Sequence, residues 1–212
     1  MAERHLHEAP PPDTETAERR RAAITAGHSA DPGTALRLLD DPEPVVRAAA
    51  LGALARLAAR ADEALDAALD DPAPEVRRRA LELCVEADRS ATALLDDPDP
   101  TVVEVACWVA GERSGEGERS VDPLARIATT HDDPLCREAA VAALGAIGHP
   151  DGRDAVLAGL EDKAPIRRRA VLALAPFEGP EVVAALECAL EDRDWQVRQA
   201  AEDLMRLIGH TG

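Results

Sequence analysis

Aromatic side chains are almost absent from this chain. Its 212 residues include two tryptophans, one phenylalanine and no tyrosine, although 46% of all residues are hydrophobic. The core must therefore be built from alanine, leucine and valine. Because small side chains let helices approach one another closely, this composition favours stacked helical hairpins.

Lysine is also scarce, since Lys163 is the only one. The chain has 41 acidic and 24 basic residues, which gives a net charge of -17. Strong binding to nucleic acid or to an anionic membrane is disfavoured, because phosphate binding needs a cationic surface. Two explanations of the acidity stay open. One is a surface that attracts basic partners. The other, which we favour, is adaptation of a whole proteome to high salt, as in a halophilic archaeon.

The sequence lacks a Cys-x-x-Cys pair, a long apolar run and an apolar leader. No apolar stretch approaches the ~20 residues of a membrane-spanning helix. The first twelve residues are polar and rich in proline, unlike a signal peptide. The cysteines fall inside predicted helices, where cysteine behaves as a small apolar residue in a reducing compartment. We therefore expect a soluble, cytoplasmic protein with four unpaired cysteines: Cys84, Cys107, Cys136 and Cys188.

Proline and glycine outline the organisation of the chain. Residues 1–13, with three successive prolines, predict a disordered tail. A polar segment from Thr14 to Gly27 predicts a capping helix, whose outer face meets water. Residues 14–212 are expected to form one domain. A glycine-rich stretch at 111–120 lacks the Gly-Lys-Ser/Thr ending of a phosphate loop, so it is interpreted as a flexible insertion.

A short motif of two acidic residues and a proline, followed by valine and arginine, recurs through the whole domain. Its arginines are 30 or 31 residues apart, or 60 where one copy has lost the arginine. That copy has Val103 at the arginine position. Apolar residues at helical spacing follow each motif, as in Val46, Ala50, Ala53 and Leu54. A period near 30 residues is typical of a two-helix repeat, with a short helix before the motif and a longer one after it.

The motif has a structural explanation. Proline is tolerated in the first turn of a helix, and an aspartate at the turn can accept hydrogen bonds from the free N–H groups there. An arginine one turn later can reach the aspartate of its own repeat or of a neighbouring one. We therefore expect a ladder of charged residues along the stack, formed by Asp41, Arg47, Asp71, Arg77, Asp97, Asp133, Arg137, Asp162, Arg167, Asp192 and Arg198.

The pattern Asp-Asp-Pro-x-x-x-Val-Arg-x-x-Ala, followed by Ala-Leu-Gly, resembles the HEAT-like repeats first associated with phycobilisome lyases. The resemblance covers nearly the whole chain after the tail. It implies an all-α fold, a right-handed α-solenoid of about six HEAT-like hairpins plus the N-terminal capping helix. Repeats of this kind occur in lyases, hydroxylases, repair glycosylases and plain scaffolds, so the resemblance leaves the function open.

The enzymes among these relatives need features that are hard to find here. Iron-dependent hydroxylases use several His-Glu pairs, whereas the pair His7-Glu8 lies in the tail. Glycosylases need a basic face with aromatic residues. A bilin lyase needs a cleft for a tetrapyrrole, and no local motif decides that point. We therefore predict no catalytic, cofactor-binding or metal-binding residue, and the alternative is a bilin-lyase-like or other cofactor-handling enzyme.

The expected binding surface is the concave face, which the longer helices line. Counting from the apolar anchor of each motif as zero, offsets two, three and six point there. Trp108 occupies offset six in the third copy, and exposed tryptophan near arginine is typical of binding hot spots. The alternative, which stays open, is that Trp108 fills space beside the glycine-rich insertion. Trp195, by contrast, is expected to seal the C-terminal end. The function predicted is a monomeric, non-enzymatic scaffold that grips another protein through Trp108, Arg78, Arg79, Glu104, Glu138 and Arg168.

Overall fold

The computed structural model describes residues 13–58, 61–87, 89–112 and 117–210. Every secondary-structure element in these ranges is helical, so the predicted all-α class is confirmed. Residues 1–12 of the predicted tail lie outside the described residues, as do residues 113–116 of the glycine-rich insertion. None of the described helices is both long enough and apolar enough to cross a bilayer.

The described residues form twelve α-helices, with short 3-10 turns at Thr92–Asp96, Pro150–Gly152 and Gly159–Glu161. The helices are α1 (Thr14–His28), α2 (Pro32–Leu38), α3 (Pro44–Leu57), α4 (Ala61–Leu69), α5 (Pro74–Ala87), α6 (Pro100–Glu112), α7 (Gly117–Thr130), α8 (Pro134–Ile147), α9 (Arg153–Ala158), α10 (Ala164–Ala173), α11 (Pro180–Ala189) and α12 (Trp195–His210).

Helices alternate in the way that the repeat predicts. The first element of each pair is named the A element: α2, α4, the 3-10 turn at Thr92–Asp96, α7, α9 and α11. The second is named the B helix: α3, α5, α6, α8, α10 and α12. The B helix is the longer of the two except in the pair of α7 and α8, which have 14 residues each. Contacts divide the chain into two compact units, one ending at Ala80 and the other beginning at Leu81. In the second unit α8 packs between α6 and α10, and α10 packs against α12.

The recurring turn chemistry of the repeat explains where B helices begin. Proline occupies the first turn of α3, α8 and α10, where a backbone N–H has no helical partner. An aspartate before the B helix accepts a backbone hydrogen bond: Asp71 accepts from Ala73, two residues later, at 2.8 Å, and Asp162 accepts from the next residue, Lys163, at 2.7 Å. Each motif thus stops one helix and starts the next within a few residues.

Two A elements of the second unit are unlike the others. In the pair that ends with α6, the A element is only the 3-10 turn Thr92–Asp96, because the side chain of Ser90 accepts from the backbone N–H of Thr92 and the next turn begins at Asp97. In the next pair the A element, α7, already begins at Gly117 and includes Pro123. The glycine-rich stretch therefore contributes helix ends on both sides of residues 113–116.

Close contact between neighbouring helices depends on glycine facing alanine. A Cβ atom built on Gly145 would lie 2.6 Å from the Cα atom of Ala173, so α8 and α10 approach too closely for any side chain there. The same contact recurs between Gly111 and Ala143, where the distance is 2.9 Å. This seam, with buried leucines such as Leu144, replaces the aromatic packing that the sequence lacks.

Candidate functional site

Arginines at the start of the B helices bind aspartates of the following repeat. Arg47 donates from Nε to Oδ2 of Asp71 at 2.9 Å and from Nη2 to Oδ1 at 2.7 Å. Arg137 makes the same two bonds to Asp162 at 2.6 and 3.0 Å. Both pairs are bidentate and mostly buried, which makes them stronger than surface ion pairs.

Each ladder arginine also donates to a carbonyl group of its own turn. Arg47 donates to the carbonyl oxygen of Asp41 at 2.9 Å, and Arg77 donates to that of Asp71 at 2.7 Å. A guanidinium group with this many fixed partners is held in one position. We therefore describe the ladder as a support for the stack of repeats.

The ladder arginines lower the pKa of three carboxylates, those of Asp71, Asp162 and Asp192. The hydrogen bond from Arg137 holds the pKa of Asp162 below its ordinary value, and the bond from Arg167 does the same for Asp192. Burial of Asp71 opposes ionisation, but the hydrogen bond from Arg47 still leaves its pKa lowered.

One rung was missed by the sequence analysis, because α1 was treated only as a cap. Arg19 of α1 donates from Nε to Oδ2 of the buried Asp41 at 2.8 Å, as the later arginines do to their aspartates. Asp13 accepts from the backbone N–H of Thr16 at the start of α1. The spacing from Asp13 to Arg19 equals that from Asp41 to Arg47, and this match was the available signal. Helix α1 therefore makes the contacts of a B helix.

Another rung lacks both the arginine and the aspartate. Val103, which is buried, occupies the arginine position of α6. The carbonyl group that Arg137 binds six residues back belongs to His131, so His131 stands where other repeats have the aspartate. Its Nδ1 accepts from the backbone N–H of Asp133 at 3.0 Å, the bond that the aspartate makes elsewhere. Asp133, which we predicted as the ladder residue, instead caps α8 by accepting from Leu135.

A groove lies on the face that the B helices of the second unit present. It has a volume of about 580 Å³ and is lined by α6, α8 and one residue of α10. Trp108 is 47% exposed and Leu135 is 41% exposed, so the groove holds two large apolar side chains in contact with water. Exposed apolar surface in a concave site is typical of binding sites. We name this site the Trp108 groove.

Acidic side chains surround this groove. Glu104 and Glu112 precede and follow Trp108 by four residues, so all three lie on one face of α6. Glu138 of α8 is the third carboxylate, and it forms an ion pair at 3.5 Å with Arg169 of α10. Glu112 is exposed and makes no ion pair with any residue that the structure describes. The balance of charge in the groove is therefore negative.

Two positions of the repeat decide whether such a groove is open. In the first unit Gly52 is at offset six of α3, and the guanidinium group of Arg79, at offset three of α5, covers it. Ala142 and Arg169 stand at the same two offsets of α8 and α10. In the Trp108 groove the sizes are reversed, since offset six is Trp108 and offset three is Ala139. A large residue at offset six beside alanine at offset three thus leaves apolar surface uncovered.

The same combination, a large residue at offset six beside alanine at offset three, occurs between α10 and α12. Leu172 of α10 is 42% exposed, and it faces a smaller groove of about 270 Å³ that also contains Ala200 of α12. Trp195 lines this groove and is 64% exposed. The prediction that Trp195 seals the C-terminal end is therefore wrong. We name this second site the Trp195 groove.

The structure separates the predicted binding residues into different places. Trp108, Glu104 and Glu138 lie together in the Trp108 groove. Arg168 lines the Trp195 groove instead, and its neighbour Arg169 occupies the Trp108 groove, because successive helical residues point in different directions. Arg78 and Arg79 belong to α5 in the first unit, so their part in a binding surface stays a prediction.

Two other cavities are lined by residues of the A elements and of the ladder. The larger has a volume of about 630 Å³ and includes Arg167 and Asp192. A similar one of about 520 Å³ includes Arg47 and Asp71. In both, the named charged groups already bind one another and are part of the ladder. The grooves of the B helices differ from these cavities in that large apolar side chains face water there.

Chemical groups that could support catalysis are dispersed over the described residues. Among them no cluster of three or more histidine, cysteine or acidic side chains has the arrangement needed to hold a metal ion. Cys84, Cys107 and Cys136 are buried, and burial raises the pKa of the Cys107 thiol. A buried thiol with a raised pKa is a poor nucleophile.

Comparison with known proteins identifies the repeat. A family model described as HEAT repeats matches residues 61–145, 87–175 and 121–206, and a model described as HEAT repeat matches residues 34–61. No curated protein matches this chain.

Solved structures with similar folds come from several kinds of protein. The X-ray structure of Escherichia coli YibA is 15% identical and aligns over 92% of this chain and 75% of YibA, with a TM-score of 0.59. A designed armadillo repeat protein in complex with the peptide (KR)4 is 16% identical over 92% of this chain and 94% of its own, with a TM-score of 0.52. Human deoxyhypusine hydroxylase in complex with glycerol is 21% identical over 93% and 81%, with a TM-score of 0.48.

Proposed function

The chain belongs to the HEAT-repeat family, and from this premise we propose that it is a non-enzymatic scaffold that binds a segment of another protein in the Trp108 groove. The observation that carries the proposal is the exposure of Trp108 in a chain with only two tryptophans. Scarce aromatic residues that face solvent add nothing to the core, whereas tryptophan is enriched among the residues that dominate binding energy.

The geometry of the groove supports a polypeptide ligand. Trp108 and Leu135 supply apolar contact, and Glu138 with Arg169 supplies a polar rim around it. An apolar centre with a charged rim is the usual arrangement of a protein interface. A designed repeat protein of similar fold was solved with a peptide bound, which agrees with a peptide as the type of ligand.

Affinity capture with a matched control tests the proposal. The bait proteins are the wild type, Trp108→Ala and Val183→Ala, each incubated with lysate of the cells that make this protein. Val183 of α11 is 48% exposed, about as much as Trp108, but it lies on an A element. We expect a protein that both wild type and Val183→Ala recover and that Trp108→Ala loses. Equal recovery by all three baits would show that the groove is not the binding site.

The alternative function is that of a cofactor-handling enzyme, related to the bilin lyases whose repeats this sequence resembles. Its test is a visible absorption spectrum and a metal analysis of protein purified without a tag. Bound bilin or iron would overturn the scaffold proposal. A colourless and metal-free protein with a partner that depends on Trp108 would support it.

A further inference from the structure

Both grooves of the second unit lie between B helices, and both contain a tryptophan. The Trp108 groove uses α6 and α8, and the Trp195 groove uses α10 and α12. Since α8 and α10 pack against each other, the grooves are two helix positions apart. Neighbouring helix axes are ~8–10 Å apart, so the grooves are separated by ~16–20 Å. An extended chain covers this distance with about five to six residues at ~3.3 Å per residue.

The uncommitted charges of the two grooves have opposite sign. In the Trp108 groove Glu112 is exposed and pairs with no described residue. In the Trp195 groove the exposed cation Arg168 likewise makes no hydrogen bond or ion pair with any residue in the described ranges. The carboxylate in that groove, Asp203, already accepts from Gln199 at 3.1 Å and from Arg206 at 2.9 Å.

Each groove therefore favours a different kind of side chain. A lysine or arginine in the Trp108 groove can lie against the indole ring and near the carboxylates of Glu104 and Glu112. A carboxylate in the Trp195 groove can form a bidentate pair with Arg168. Apolar side chains beside these charges would cover Leu135 in one groove and Leu172 in the other.

We propose that the partner is an extended segment with two bulky apolar residues about five to six positions apart, with a basic residue beside the one in the Trp108 groove and an acidic residue beside the one in the Trp195 groove. The proposal rests on the function proposed above and adds the chemistry and the orientation of the segment. Because the two charges differ in sign, a segment placed in reverse would bring like charges together, and that juxtaposition is unfavourable.

Peptide display tests this proposal on the full-length protein. A library of random twelve-residue peptides is selected at low salt, where charge interactions are least screened. The selected peptides are then measured by fluorescence anisotropy against the wild type, Trp108→Ala, Glu112→Arg and Arg168→Glu. The last two changes reverse exposed charges that have no described partner, so the fold is kept, and circular dichroism checks it.

We expect the selected peptides to share the basic–apolar and acidic–apolar pairs at the stated spacing. Their affinity should fall about tenfold or more for each of the three variants. Reversing the matching peptide charge should restore binding to Glu112→Arg and to Arg168→Glu. Peptides that need Trp108 but show no charge preference would overturn this proposal and leave the proposed function standing. Peptides that bind Trp108→Ala equally well, or a library without binders, would overturn both.

Discussion

Removal of one ladder arginine should destabilise the second unit strongly. The side chain of Arg167 is 6% exposed, and it donates to Asp192 at 2.8 and 2.7 Å and to the carbonyl oxygen of Asp162 at 2.9 Å. The variant Arg167→Val keeps an apolar stem but leaves the carboxylate of Asp192 without this partner. Breaking a buried ion pair from one side costs ~3–5 kcal/mol, and because Asp192 is 16% exposed we expect about 3 kcal/mol.

The chain itself suggests how this loss can be offset. At the rung that α6 contributes, both the arginine and the aspartate are absent, with Val103 at one position and His131 at the other. The double variant Arg167→Val with Asp192→His copies that rung. The imidazole Nδ1 can accept from the backbone N–H of Asp194, a bond that Asp192 now makes at 2.7 Å. Because replacing both partners of a buried pair is often nearly neutral, we expect the double variant to lie within about 1 kcal/mol of the wild type.

Urea denaturation followed by circular dichroism measures these free energies of unfolding. The control is Arg168→Val, which removes the neighbouring exposed arginine and should change stability by less than about 0.5 kcal/mol. The slope of each transition shows whether the variants unfold by the same process. The reasoning is refuted if Arg167→Val is as stable as the control, or if the double variant is no more stable than Arg167→Val alone.

Three further predictions concern acid, packing and thiols. The free energy of unfolding should fall as pH drops below about 4, because the pKa values of Asp71, Asp162 and Asp192 are lowered in the folded protein. Such carboxylates stabilise the fold fully above their ordinary pKa of 3.8, and this stabilisation is lost as pH falls through the folded pKa. A titration of stability against pH should lose this slope when the rung arginines are replaced. Gly145→Ala should cost about 1–3 kcal/mol, since its Cβ would collide with Ala173, whereas the exposed Gly33→Ala should cost less, and equal urea midpoints would contradict this. A thiol reagent should modify one cysteine of the native protein, Cys188, and the variant Cys188→Ser should remain unlabelled until it unfolds.

The fold was predictable because its causes recur along the chain. The period of the arginines and the apolar spacing of the B helices predict the hairpins, and the family match confirms the resemblance to HEAT repeats. The more specific relation to phycobilisome lyases and the halophilic origin stay predictions. The role of α1 was missed because only complete repeats were aligned, although Asp13 and Arg19 carry the same spacing.

The site was less predictable, because it depends on contacts between helices. Offsets along one helix identified Trp108, Glu104 and Glu138 as residues of one face. They did not show that Arg169 rather than Arg168 reaches the same groove, since that depends on how α10 is rotated against α8. Nor did they show that Trp195 is exposed, because exposure depends on the size of the residue opposite on the neighbouring helix.

The open and covered grooves imply that recognition and folding use separate sets of positions in each repeat. The rung arginines and the glycine–alanine seam hold neighbouring repeats together, and neither set includes offset three or the paired offset six. Two substitutions, of Gly52 by a large residue and of the Arg79 that covers it by alanine, would open a new groove without altering a rung. A lineage of such chains can therefore move its binding site from one repeat to another by a pair of surface substitutions, while the stack that carries the site is inherited unchanged.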